Sequence, residues 1–186
     1  MNSDLIQKME DYKKDFYNTN GRNTLFKKSQ KNICATEMSS NFNLTEMIES
    51  TIFIVPGTNN IFFDYTILKL YANDNNYQIV INHMLNLYDI ILLEYTDFNI
   101  HMNLNTFSPS AVERYKSMIQ KFCESCMNSK TLYSDKFNHM YLYNTPIVID
   151  TIMVFVKPFV DPNIAERITK YNKTESESLI KILMQK

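Results

Sequence analysis

Residues 135–167 read DKFNHMYLYNTPIVIDTIMVFVKPFVDPNIAER, and this run decides the fold. From Asn138 to Asn144 the residues alternate, with Met140 and Leu142 on one face and His139, Tyr141 and Tyr143 on the other, which is the period of a strand. Pro146 then opens an apolar helix that ends near Lys157-Pro158. Asp161-Pro162 pairs an N-cap residue with a proline at the first helical position, so one further turn starts there. Ile168 to Tyr171 can form a short strand. A strand, a helix, a break and a second strand with almost no spare residues imply a parallel strand pair.

Upstream, Phe98 to Leu104 alternates strictly: Phe98, Ile100, Met102 and Leu104 point one way, Asn99, His101 and Asn103 the other. Ser108-Pro109 supplies an N-cap and a first-turn proline for a helix whose apolar face carries Ala111, Tyr115, Met118, Ile119, Phe122 and Cys126. Before it, Tyr77, Ile81, Met84, Tyr88, Leu92 and Tyr95 recur every three or four residues. Ile79, Val80, Leu85, Leu87, Ile90 and Leu93 widen that face, so this helix is expected to be covered on more than one side. Thr51 to Val55, the turn pair Pro56-Gly57 and the run IFFDYTILKLY after Asn59-Asn60 read as a hairpin of two strands. Leu5, Met9, Tyr12 and Phe16 mark one short helix ended by Gly21, and the segment to Ser40 reads as an extended arm. Thr174-Glu175-Ser176-Glu177 begins a final helix with Leu179, Ile182 and Leu183. The expected architecture is therefore α/β: a single mixed or mostly parallel sheet with helices on both faces, divided into an arm (1–45) and a lobe (46–186).

Composition narrows the function. The chain has 186 residues and a net charge of -1, without the basic excess of a generic nucleic-acid binder. Two glycines, Gly21 and Gly57, are too few for a glycine-rich phosphate loop, which excludes the dinucleotide fingerprint and the P-loop. No run reaches the roughly 18 apolar residues needed to cross a bilayer, and the charged start MNSDLIQKMEDYKKDF does not read as a secretory leader, so the expectation is a cytoplasmic protein able to sit peripherally at membranes. Cys123 and Cys126 have C-x-x-C spacing but sit at the C-terminal end of their helix, with Cys126 on its apolar face, so they read as packing residues rather than a zinc or redox site. His83, His101 and His139 lack carboxylates at metal or triad spacing. Asp64, Asp89 and Glu94 have no nucleophile beside them. The chain is read as non-catalytic, with neither metal nor cofactor.

The opening stretch, extended to Tyr133, resembles the hallmark segment of the CRAL-TRIO lipid-binding family. Tyr133-Ser134-Asp135-Lys136 stands where that family has Y-P-E-R, Met140 to Pro146 (MYLYNTP) stands for its strand, and Lys157 to Pro162 (KPFVDP) for its K-P-F-L-D-P. The resemblance covers about residues 97–172. It implies a CRAL-TRIO lipid-binding lobe with an apolar pocket floored by Phe98, Ile100, Met102, Met140 and Leu142. Over it would lie a lipid-exchange gate comprising Pro146, Ile149, Ile152, Met153, Phe155, Phe159 and Ile164. In phosphatidylinositol-binding members, the acidic residue of Y-P-E-R and the basic residue before the last strand contact the headgroup phosphate; the matching positions are Asp135 and Arg167. Phe98 and Ile100 occupy positions where phosphatidylcholine-binding members carry hydroxyls, which argues against a choline headgroup.

The same residues keep a plainer reading, in which the five floor residues are ordinary core and Asp135 and Arg167 form a surface ion pair. Two functions follow. One is a lipid-binding or lipid-transfer protein that takes a phospholipid, a phosphoinositide or another hydrophobic ligand and touches membranes transiently. The other is a protein-interaction module on the same fold, its pocket filled, docking on a Rho-type GTPase, another partner or a second copy.

Overall fold

The structure, a computed structural model, describes residues 2–159 and 162–185, and the side chains of these except 155, 156, 159, 162 and 163. Their centre is a five-stranded sheet in sequential order: β1 (Ile52–Ile54), β2 (Asn60–Asp64), β3 (Phe98–Asn103), β4 (Phe137–Tyr143) and β5 (Ile168–Lys170). The first pair is antiparallel and the other three are parallel, so the sheet is mixed and mostly parallel, as the alternation of strands and helices requires. The hairpin turn contains Gly57 at φ 70°, a left-handed position where an added Cβ would be strained even though space is open around it.

Sequential order with crossovers of one hand places the crossover helices on one face. That face carries Ile61, Phe63, Phe98, Ile100, Phe137 and Leu142, all within the main core. It is covered by α4 (Tyr65–Tyr71), α5 (Tyr77–Leu92), α6 (Pro109–Met127) and α8 (Ile149–Val156). On the back face, Phe62 and Val55 pack with Leu183 of α10 (Lys173–Met184) in a smaller cluster. Helices thus cover both faces, unequally. The back row Phe53, Phe62, His101, Tyr141 and Thr169 lies in register across all five strands. His101 stacks on Tyr141 with ring centres 4.7 Å apart, and its Nδ1 lies 2.8 Å from the Tyr143 hydroxyl, so His101 belongs to a packed polar ladder.

Several sequence expectations need correction. The first helix, α1 (Ser3–Asn20), ends at Gly21 as expected, but the segment assigned as an extended arm forms α2 (Lys27–Asn41). Cys34, Ala35 and Met38 of α2 are buried, and α2 packs on α4, so tertiary burial rather than a strong amphipathic pattern holds this helix. A further helix, α3 (Leu44–Thr51), is started by Asn43, whose side chain accepts from the Thr45 and Glu46 amides. IFFDYTILKLY is a strand only to Asp64. There the carboxylate accepts from the Thr66 amide at 2.7 Å and caps α4, converting an apparent strand into a strand–helix corner. Helix α5 is covered less broadly than expected, since Ile79, Ile90 and Leu93 are exposed. Ser108 occupies the N-cap position of α6, but its hydroxyl bonds Ser110 instead of a backbone amide. Helix α8 begins at Ile149, with Pro146 in the turn before it, and α10 is capped by Asn172 in a capping box with Glu175 rather than by Thr174. Residues Lys157–Phe159 form a single tight turn and α9 (Pro162–Ala165) one more. Asp161 lies outside the described residues.

Candidate functional site

The alternation of β3 and β4 aims Phe98, Ile100 and Met140 at the crossover face, and there the packing is incomplete. A half-open cleft of about 670 Å³ lies over these three residues. That volume falls within the range of about 300–1,000 Å³ expected of a pocket for one apolar ligand. Its inner wall is aromatic: Tyr88 of α5 stacks on Phe98 with ring centres 4.5 Å apart, edge-on contacts join Tyr88 to Phe122 and Tyr133, and Phe98 meets Phe137. The last turns of α6 form one side, through Phe122, Cys123, Cys126 and Met127. Pro158 and Ile164 close it opposite.

Met102 and Leu142, two strand positions further on, do not line the cleft; Leu142 is buried in the main core and Met102 packs against it. Of the expected gate residues, Ile164 lines the cleft. Ile149 and Ile152 point into the core instead, Met153 packs against it, and Pro146 stands in the turn after β4. The side chains of Phe155 and Phe159 lie outside the described residues.

Exposed apolar side chains of Met127 and Leu132 line the cleft, and Ile147, Val148 and Val154 are further exposed apolar residues on and before α8. Leu132 precedes α7 (Tyr133–Lys136), the turn that leads into β4. Tyr133 is fixed there by donating to Asp89 at 2.7 Å. Arg167 clamps the same turn, since its guanidinium donates to the carbonyls of Ser134, at 3.1 Å, and Phe137, and lies 5.1 Å from the Phe137 ring centre. Asp135 is exposed on this turn, beside Ser134, which lines the cleft. The two candidate headgroup residues therefore share one corner at the edge of the cleft, with Arg167 employed as a strut of the fold and no ion pair between them among the described contacts.

The sequence reading missed the contribution of Tyr88, Phe122, Cys123, Cys126 and Tyr133 to this wall. Burial pushes the Cys126 thiol up to about 12, with the neighbouring Cys123 adding to it, and burial also raises Cys123. Neutral, half-buried thiols on a helix C-terminus are apolar lining, not nucleophiles. No group of three metal-ligating side chains occurs among the described residues. The Tyr88 hydroxyl is buried without a hydrogen-bond partner among the described residues. No helix among the described residues is long and apolar enough to cross a membrane.

The family profile of the CRAL/TRIO domain matches residues 79–185. No curated protein sequence matches the chain. Among solved structures, the crystal structure of Sfh5 aligns over 91% of this chain and 81% of that chain, with 11% sequence identity and a TM-score of 0.44, a likeness too distant to carry an argument.

Proposed function

Because the chain belongs to the CRAL/TRIO domain family, a family of lipid-binding domains, we propose that it is a non-catalytic carrier that takes one hydrophobic ligand into the cleft between β3, β4, α6, Pro158 and Ile164. The observation that carries this reading is the unfilled space above Phe98, Ile100 and Met140. A protein-interaction module with a packed pocket would fill this space with side chains, as the core around Leu142 is filled. The exposed Met127 and Leu132 at the mouth of the cleft favour transient contact with a membrane surface, where a lipid could pass into the cleft without crossing water.

The headgroup reading is finer. A phosphoinositide with its tails in the cleft would place its phosphate at the corner of Asp135 and Arg167, where a guanidinium can offer charge-assisted hydrogen bonds. Lipid extraction and native mass spectrometry of the purified chain, followed by uptake from labelled vesicles, test the carrier. Neither co-purified lipid nor uptake would leave the interaction module as the function. Asp135→Ala removes an exposed side chain, so it is expected to change phosphoinositide affinity severalfold without altering the thermal transition. Unchanged affinity removes Asp135 from the site.

A further inference from the structure

A second cleft, of about 450 Å³, opens between α1, α2, α4 and the start of α6. Its lining includes Lys13, Lys27, Lys28, Lys31, Lys69 and Arg114, together with Thr106, Ser108 and Ser110, and no described lining residue is acidic. In a chain of net charge -1 this is a concentrated positive field, assembled from four separate elements.

Stability alone would not place these charges so. Lys27 and Lys28 begin α2, whose first turn has no acid and whose N-cap, Phe26, makes no side-chain cap. Cations at a helix N-terminus oppose the helix dipole. Lys27 and Lys31, one turn apart, repel each other. The ammonium groups of both have no acceptor among the described residues. The N-terminus of α6 enters the same cleft, and it too lacks a side-chain cap. Thr106 sits at φ 67°, an uncommon conformation for a β-branched residue, and its hydroxyl accepts from Lys69 at 2.8 Å. Burial together with the nearby Lys13 and Lys31 holds the Lys69 ammonium below the usual lysine range, although Glu10 and Asp64 oppose the shift. Arg114 is already used, since it bonds Asn32 and the carbonyls of Lys31, Lys69 and Ala72 and so braces α2 and α4 against α6. Lys13 is paired with Glu10 at 2.9 Å.

From this arrangement we infer that the basic cleft binds a compact ligand bearing two or more phosphoryl groups. Both a soluble polyphosphate and the headgroup of a phosphorylated lipid present that chemistry. The anion would meet Lys27, Lys28, Lys31 and Lys69, and the first-turn amides of α2, with the single Ser110 amide that α6 leaves after Pro109, would supply the donors that helix N-termini offer to phosphates. The site stands roughly 24 Å along α6 from Cys126 in the apolar cleft, by the rise of 1.5 Å per residue, and does not depend on the carrier reading.

Calorimetric titration of the whole chain with inorganic tripolyphosphate, and co-sedimentation with phosphatidylcholine vesicles with and without a bisphosphorylated inositol lipid, test the inference. Binding that weakens with salt is expected in at least one arm, and which arm responds identifies the source of the phosphate. Lys27→Ala/Lys31→Ala is expected to weaken it at least tenfold while keeping or raising thermal stability, because alanine favours the helix and the repulsion is gone. Lys121→Ala/Lys130→Ala, which removes the same charge from exposed positions outside the cleft, is expected to change it less than twofold. No binding in either arm, or an equal loss in both double variants, overturns the inference.

Discussion

The two ends of α6 face opposite kinds of space. At its N-terminal end Ser110, Ala111 and Arg114 border a cleft rich in cations and hydroxyls; at its C-terminal end Phe122, Cys123, Cys126 and Met127 border an apolar one. One 19-residue helix thus joins two clefts of opposite lining chemistry. The difference arises from the partners of each end. The N-terminal end meets α2 and α4 through Arg114, whose bonds hold backbone carbonyls and leave the lysines facing the gap. The C-terminal end meets the front of β3 and β4, where alternation supplies only apolar side chains.

This contrast can be broken at either end. The largest expected effect concerns the thiols. With its pKa pushed from 9.0 to about 12, Cys126 should react with iodoacetamide on the order of a thousandfold more slowly at pH 8 than an ordinary thiol, rate following thiolate fraction. Mass-resolved labelling rates across pH check this, and a rate plateau near pH 9 would mean that the apolar end is wet. The same shift carries a sign for stability. The folded state holds the proton more tightly, so this contribution is full below about pH 9 and is lost as pH climbs towards about 12.

Next, Arg114→Leu leaves the carbonyls of Lys31, Lys69 and Ala72 short of a donor and is expected to lower stability by about 2–3 kcal/mol in urea unfolding. The folded fraction of this variant should lose anion affinity but keep lipid uptake if the two ends are independent. Met140→Trp extends a ring into the apolar cleft and should reduce lipid uptake from labelled vesicles at least tenfold, with tripolyphosphate binding intact. The smallest effect is expected from Tyr88→Phe. Its hydroxyl is buried without a partner, so deletion should be neutral or raise stability by up to about 1 kcal/mol, read from denaturant midpoints. A clear loss would show that the hydroxyl has a partner in solution.

Much of the apolar site was legible because strand periodicity is short and strict. Phe98, Ile100 and Met140 share a face by alternation alone, and the string KPFVDP after MYLYNTP marked the crossover that follows. The helix α2 was obscured because its polar composition hides three buried positions whose partner, α4, lies about 35 residues away. Asp64 was a readable N-cap signal inside IFFDYTILKLY, overridden by the apolar residues around it. The basic cleft has no sequence motif, since its lysines come from positions 13, 27, 28, 31 and 69 and meet only when three helices pack together.

The sequence by itself determined which strand residues share a face, where α6 starts, and the charge and cysteine chemistry available. Tertiary structure decided what each face meets. Met102 and Leu142 obey the same alternation as Ile100 and Met140, yet only the second pair borders the cleft. Alternation sets the direction of a side chain, whereas packing depends on where the end of α6, Pro158 and Ile164 come to rest above it.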